Sequence, residues 1–104
     1  MSVKISKKDH AVYAIEGELN MQTVPEAAKQ LAGLMAELPS GAENLNLDLA
    51  SISRSDSAGV ALLIDVMQAA KSSKITLLFS NLPQQMQDIA GISGLIDILP
   101  ISRN

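Results

Sequence analysis

Leu45-Asn46-Leu47-Asp48-Leu49-Ala50-Ser51-Ile52-Ser53-Arg54-Ser55-Asp56-Ser57-Ala58-Gly59-Val60-Ala61-Leu62-Leu63 is the stretch that decides the fold. Its first five residues alternate apolar and polar, the period of a half-buried strand. From Val60 to Ala70 the apolar residues recur at helical spacing. Between the two, an acid, a hydroxyl and two small residues stand where a strand hands over to a helix, which is predicted over Ser57–Ser72. The first turn of a helix carries unpaired N–H groups and the positive end of its dipole. A small exposed hydroxyl placed there can be modified, or touched closely by another molecule.

Working outward, Val3-Lys4-Ile5 alternates and Ala11 to Ile15 is short and β-prone, with Lys7-Lys8-Asp9-His10 reading as a hairpin turn between them. Gly17-Glu18-Leu19-Asn20 ends the second strand. Thr23-Val24-Pro25-Glu26 has the form of a capping box with proline in the tolerated first turn. Val24, Ala27, Ala28, Leu31, Leu34, Met35 and Leu38 follow at helical spacing, and Pro39-Ser40-Gly41 stops the helix. Ile75 to Phe79 is a nearly continuous apolar run, as in a strand covered on both faces. Asn81 is placed to cap a third helix that Gly91 ends. Leu95 to Leu99 is a helical turn or a closing edge strand, since Pro100 excludes a central position beyond it. The order β-β-α-β-α-β-α, with or without that short last strand, predicts an α/β protein: a mixed sheet with helices packed mainly on one face.

The chain has 104 residues, which suits a single domain over its whole length. With 47% hydrophobic residues it can build a core. The net charge of −3, the absence of any basic run longer than Lys7-Lys8, and aromatics limited to Tyr13 and Phe79 argue against a nucleic-acid surface. There is no cysteine, which excludes disulfides, thiolate metal sites and thiol nucleophiles. The first residues lack a signal-peptide core and no apolar run approaches 18 residues, so the expectation is a cytoplasmic protein without membrane insertion.

On the second helix, Val60, Leu63, Ile64, Met67 and Ala70 share a stripe that must face the sheet. Ala58, Leu62, Val66 and Ala69 form a second apolar stripe. Either a neighbouring helix covers it, or it is an exposed patch beside Ser57 suited to docking another protein. Small Ala58, Gly59 and Ala61 would then let that protein come close. Ser57 itself is either an ordinary helix-start residue or, if Asp56 is the cap, an outward hydroxyl. Phosphorylated, it would gain about −1.5 to −2 charges, welcome to the helix dipole and unwelcome to an apolar partner.

Other candidates have plainer readings. Asp48 is a solvent-side strand residue, and the lone His10 a surface turn histidine. Glu16 and Glu18 lie on an exposed strand face, while Met21, Met35, Met67 and Met86 fill the core. No catalytic triad can be assembled, and there is no Walker A or dinucleotide glycine fingerprint. No enzyme activity, metal or cofactor is expected.

Three segments resemble the STAS domain family of sulfate transporters and anti-sigma factor antagonists. Gly17-Glu18-Leu19-Asn20 is similar to the family's G-E-L-D, with Asn20 in place of the acid. Asp48-Leu49 through Asp56-Ser57-Ala58-Gly59-Val60 resembles its D-L…D-S-[S/A]-G-L signature. Ile92-Ser93-Gly94-Leu95 resembles the S-G-L near its carboxyl end. The resemblance covers nearly the whole chain and implies a non-enzymatic α/β domain. In the antagonist branch, the hydroxyl after the Asp, here Ser57, is phosphorylated by an anti-sigma factor serine kinase, which releases the antagonist. Asp56-Ser57-Ala58-Gly59-Val60-Ala61-Leu62-Leu63 looks more like a second branch, the small MlaB-like subunit of the ABC-type phospholipid transporter. That branch implies a domain that binds and supports the cytoplasmic ATPase subunit, held at the inner membrane through it. In that branch the resemblance places Ser57 and the Ala58, Leu62 and Val66 stripe against the ATPase; with Asp56 as a contact group and small Gly59 from the residue reading, the expected partner contact is Asp56, Ser57, Ala58, Gly59, Leu62 and Val66.

Overall fold

The computed structural model describes residues 3–38 and 44–102. The elements are β1 (Val3–Asp9), β2 (Val12–Leu19), α1 (Val24–Glu37), β3 (Asn44–Asp48), β4 (Ile52–Ser55), α2 (Ser57–Ser72), β5 (Thr76–Ser80) and α3 (Gln84–Ile92). The helix stop read at Pro39-Ser40-Gly41 lies outside the described residues.

The sheet runs β1-β2-β3-β5, with β4 beside β2. β1 is antiparallel to β2, and the remaining pairs are parallel. One edge of β2 serves two strands in succession. Val12 to Ala14 pair with β3, and Gly17 to Leu19 pair with β4. The mixed α/β sheet is as expected, but β4 is an additional strand. Its residues, Ile-Ser-Arg-Ser, hold one apolar side chain among polar ones and read locally as a loop. It becomes a strand because β2 outruns β3 and offers free backbone groups to it.

β1 also runs further than expected, through Lys7 to Asp9, so the hairpin turn moves to His10 and Ala11, the latter at φ 61. β5 is covered on one face, not both: Leu77 and Phe79 are buried, whereas Thr76 and Leu78 are exposed. That alternation is what a sheet with one helical layer imposes. The layer is continuous, since α1 packs on α2 and α2 on α3. Ile15, Leu19, Leu47, Leu49, Leu63, Phe79 and Met86 fill the space between layers.

Two expected caps are made differently. The Thr23 hydroxyl does not cap α1. It donates to the Glu18 carbonyl at 2.7 Å and accepts from the Asn20 N–H at 3.0 Å. Asn20 Oδ1 instead accepts from the N–H groups of Gln22 and Thr23 at 2.8 and 3.1 Å. At α3 the cap position is Pro83, and the helix passes Gly91 to end at Ile92, with Gly94 at φ 74 turning the chain. Leu95 to Leu99 forms a turn. The only strand contact among the described residues beyond it is Ile101 against Phe79 at the edge of β5, where Pro100 allows it.

Met21, read as a core filler, is 82% exposed at the β2–α1 turn. Met86 is core, and Met35 and Met67 are half-buried against it.

Candidate functional site

β4 delivers the chain to the start of α2 at the carboxyl end of the sheet. The Asp56 N–H donates to the Leu19 carbonyl at 3.2 Å, tying this point to the end of β2. Asp56 is extended, and its Oδ1 accepts from the Ala58 N–H at 2.8 Å, the geometry of a side-chain helix cap. The acid therefore takes the capping role and leaves Ser57, the first residue of α2, exposed. Among the described residues no hydrogen bond engages the Ser57 hydroxyl.

Ser55 points the other way. It is 3% exposed, its hydroxyl donates to the Asp56 carbonyl at 3.1 Å, and its N–H donates to Gln85 Oε1 at 2.7 Å. Gly59 lies against it: a Cβ on Gly59 would overlap Ser55 Oγ and stand 3.0 Å from Leu19 Cβ. The glycine lets α2 sit on the ends of β2 and β4, and it is buried. An open groove beside the turn is lined by Glu18, Asn20, Arg54, Asp56 and Gln85, among others. Neither Ser55 nor Gln85 could be singled out from sequence, because a backbone-to-amide contact across 30 residues leaves no local pattern.

The second apolar stripe of α2 is largely covered, with only Ala69 exposed. Leu62 is 1% and Val66 3% exposed, and Ala58 is half-buried. The buried arc runs from Leu62 through Val66, Gly59, Ala70 and Leu63 to Val60, about 160° at ~100° per residue. Its centre falls between the two expected stripes because α2 is the middle helix, flanked by α1 and α3. The expected exposed contacts at Gly59, Leu62 and Val66 are thus corrected to core. Of the six residues, Asp56 and Ser57 are exposed, and Ala61 extends that surface by one turn.

Asp48 is likewise no solvent-side residue. It is 8% exposed at the end of β3. Asn81 Nδ2 donates to Oδ1 at 2.9 Å, the Ala50 N–H donates to the same oxygen at 2.9 Å, and Lys8 Nζ pairs with Oδ2 at 3.1 Å. The Asn81 and Ala50 hydrogen bonds, helped by Lys8, hold its carboxyl below the ordinary aspartate pKa against the opposing effect of burial. Asn81, expected to cap α3, spends its side chain here.

His10 is exposed in the β1–β2 turn. No group of three or more His, Cys, Asp or Glu that could hold a metal occurs among the described residues. No helix among them is long and apolar enough to cross a membrane.

With this geometry in view, residues 3–100 match the family described as "Mlab, STAS domain". An anti-sigma-B factor antagonist of Staphylococcus epidermidis is 26% identical over 98 residues, spanning 94% of this chain and 88% of that protein. The crystal structure of an anti-sigma factor antagonist from Mycobacterium paratuberculosis superposes with a TM-score of 0.72 at 18% identity, covering 98% of this chain and 85% of that one. The anti-sigma factor antagonist SpoIIAA in its unphosphorylated form gives 0.70 at 15% identity, with 98% and 89% coverage. The mixed sheet, the single helical layer and the signature at the start of α2 agree with the match along the chain: this protein belongs to the STAS domain family.

Proposed function

We propose that the chain is a non-catalytic regulator that binds an anti-sigma factor serine kinase through the start of α2, and that phosphorylation of Ser57 reverses the binding. The observation that carries this is the division of labour at the turn: Asp56 caps the helix, so Ser57 is free and exposed. A phosphate there would be tolerated by the fold, since it sits at the positive end of a helix. It would be opposed at a docked surface, where two added charges and the Asp56 carboxylate would meet the partner. The likeness to an anti-sigma-B factor antagonist supports the choice of partner.

A second reading has one specific support, the MlaB description of the matched family. In it the same surface binds the ATPase of a phospholipid ABC transporter, with Ser57 at the contact. Co-purification with mass spectrometry from the native cell separates the two. A serine kinase in the eluate, lost with Ser57→Glu, supports the first reading, and an ABC ATPase supports the second. Capture of either partner undiminished by Ser57→Glu overturns the role of this turn.

A further inference from the structure

The turn that carries Ser57 is held from outside its own strand. β4 has four residues and, among the described residues, pairs only with β2. Ser55 is buried, and a buried N–H without an acceptor is costly. The acceptor is Gln85 Oε1, reaching across from the first turn of α3. The place where α3 begins is itself fixed. Asn81, at φ 57, donates to Asp48, and Gln87 Nε2 donates to the Leu82 carbonyl at 2.8 Å. Two side-chain hydrogen bonds, Asn81 on Asp48 and Gln85 on Ser55, therefore link the end of β3, the start of α3 and the residue two before Ser57.

We propose that Gln85 is a positioning residue for the docking turn, its amide oxygen standing in for the absent neighbouring strand and fixing Ser55-Asp56-Ser57 in the geometry a partner meets. The proposal rests on the reading of that turn as a docking site, and the test keeps the two apart. Amide hydrogen exchange is followed by NMR in the isolated full chain. Gln85→Leu, at an exposed position, removes the acceptor. Protection of the Ser55 amide then falls about fivefold, the size of one net hydrogen bond, while Leu47 and Phe79 amides keep their rates. Gln85→Glu retains an acceptor oxygen and restores protection. Asn81→Gly, which accepts the positive φ without strain, loosens the same amides to a smaller degree.

With the serine kinase, Gln85→Leu lowers the efficiency of Ser57 phosphorylation by a similar factor of about five, and Gln85→Glu restores it. Unchanged Ser55 exchange in Gln85→Leu overturns the proposal. So does acceleration spread evenly over β3 and β5, which would mean a contribution to general stability only. Loosened Ser55 with undiminished phosphorylation also overturns it. If no kinase modifies Ser57, the kinase reading of the turn fails, and the exchange result alone decides whether Gln85 sets its geometry.

Discussion

At the scale of single residues, Asp56 and Gly59 explain why Ser57 faces outward. Ser57→Glu is expected to leave the thermal midpoint nearly unchanged, because a surface substitution at a helix start costs within about ±0.5 kcal/mol. It should weaken partner binding by about tenfold or more, as a loss of ~1.4 kcal/mol would; titration calorimetry against the recovered partner measures it. Gly59→Ala forces a Cβ into Ser55 and should destabilise the fold by about 1–3 kcal/mol in urea unfolding. Adding Ser55→Ala removes the overlapping oxygen, so the double variant should lose less than the sum of the two. Asp56, Ser57 and their spacing to the helix were legible in sequence, because a cap is a local device. Gln85 and Asn81 were not: each acts on a residue about 30 positions away.

At the scale of elements, α2 shows what periodicity can and cannot tell. Its boundaries, Ser57 to Ser72, are the predicted ones. Its orientation is not, because a helix flanked on both sides buries an arc wider than either stripe read alone. Leu62→Ala should therefore cost about 2–5 kcal/mol in chemical unfolding, whereas Ala61→Glu, on the exposed side, should leave stability nearly unchanged and weaken binding. β4 was missed for a related reason: four residues with one apolar side chain carry no strand signal until the end of β2 is in place beside them. In α1, Gly33 is exposed and a Cβ there would meet nothing within 4 Å. Gly33→Ala should stabilise the protein by about 0.5–1 kcal/mol, read as a raised urea midpoint.

Across the whole molecule, Asp48 joins β1, β3 and the approach to α3, and it makes the fold sensitive to acid. Its carboxyl binds a proton less readily in the folded than in the unfolded chain. Ionised Asp48 therefore contributes stability above the ordinary carboxylate range, and that contribution is lost as pH falls through its depressed folded-state value. Asp48→Asn should be less stable than the parent at neutral pH, and its urea midpoint should change less from about pH 5 downward. An equal acid slope in both would show that other carboxylates govern it.

β2 lends its first half to β3 and its second half to β4, and this separates what the molecule is from whom it meets. Val12 to Ala14 are braced by β3 and, behind it, β5, whereas Gly17 to Leu19 have only the short β4 on that side. On the proposed reading of the turn, replacements at the exposed Ser53, Arg54, Asp56 and Ser57 alter the client, while the braced half, with buried Ile52 and Ser55, continues to specify the same architecture. A scaffold divided in this way can be retuned for a new client without having to learn to fold again.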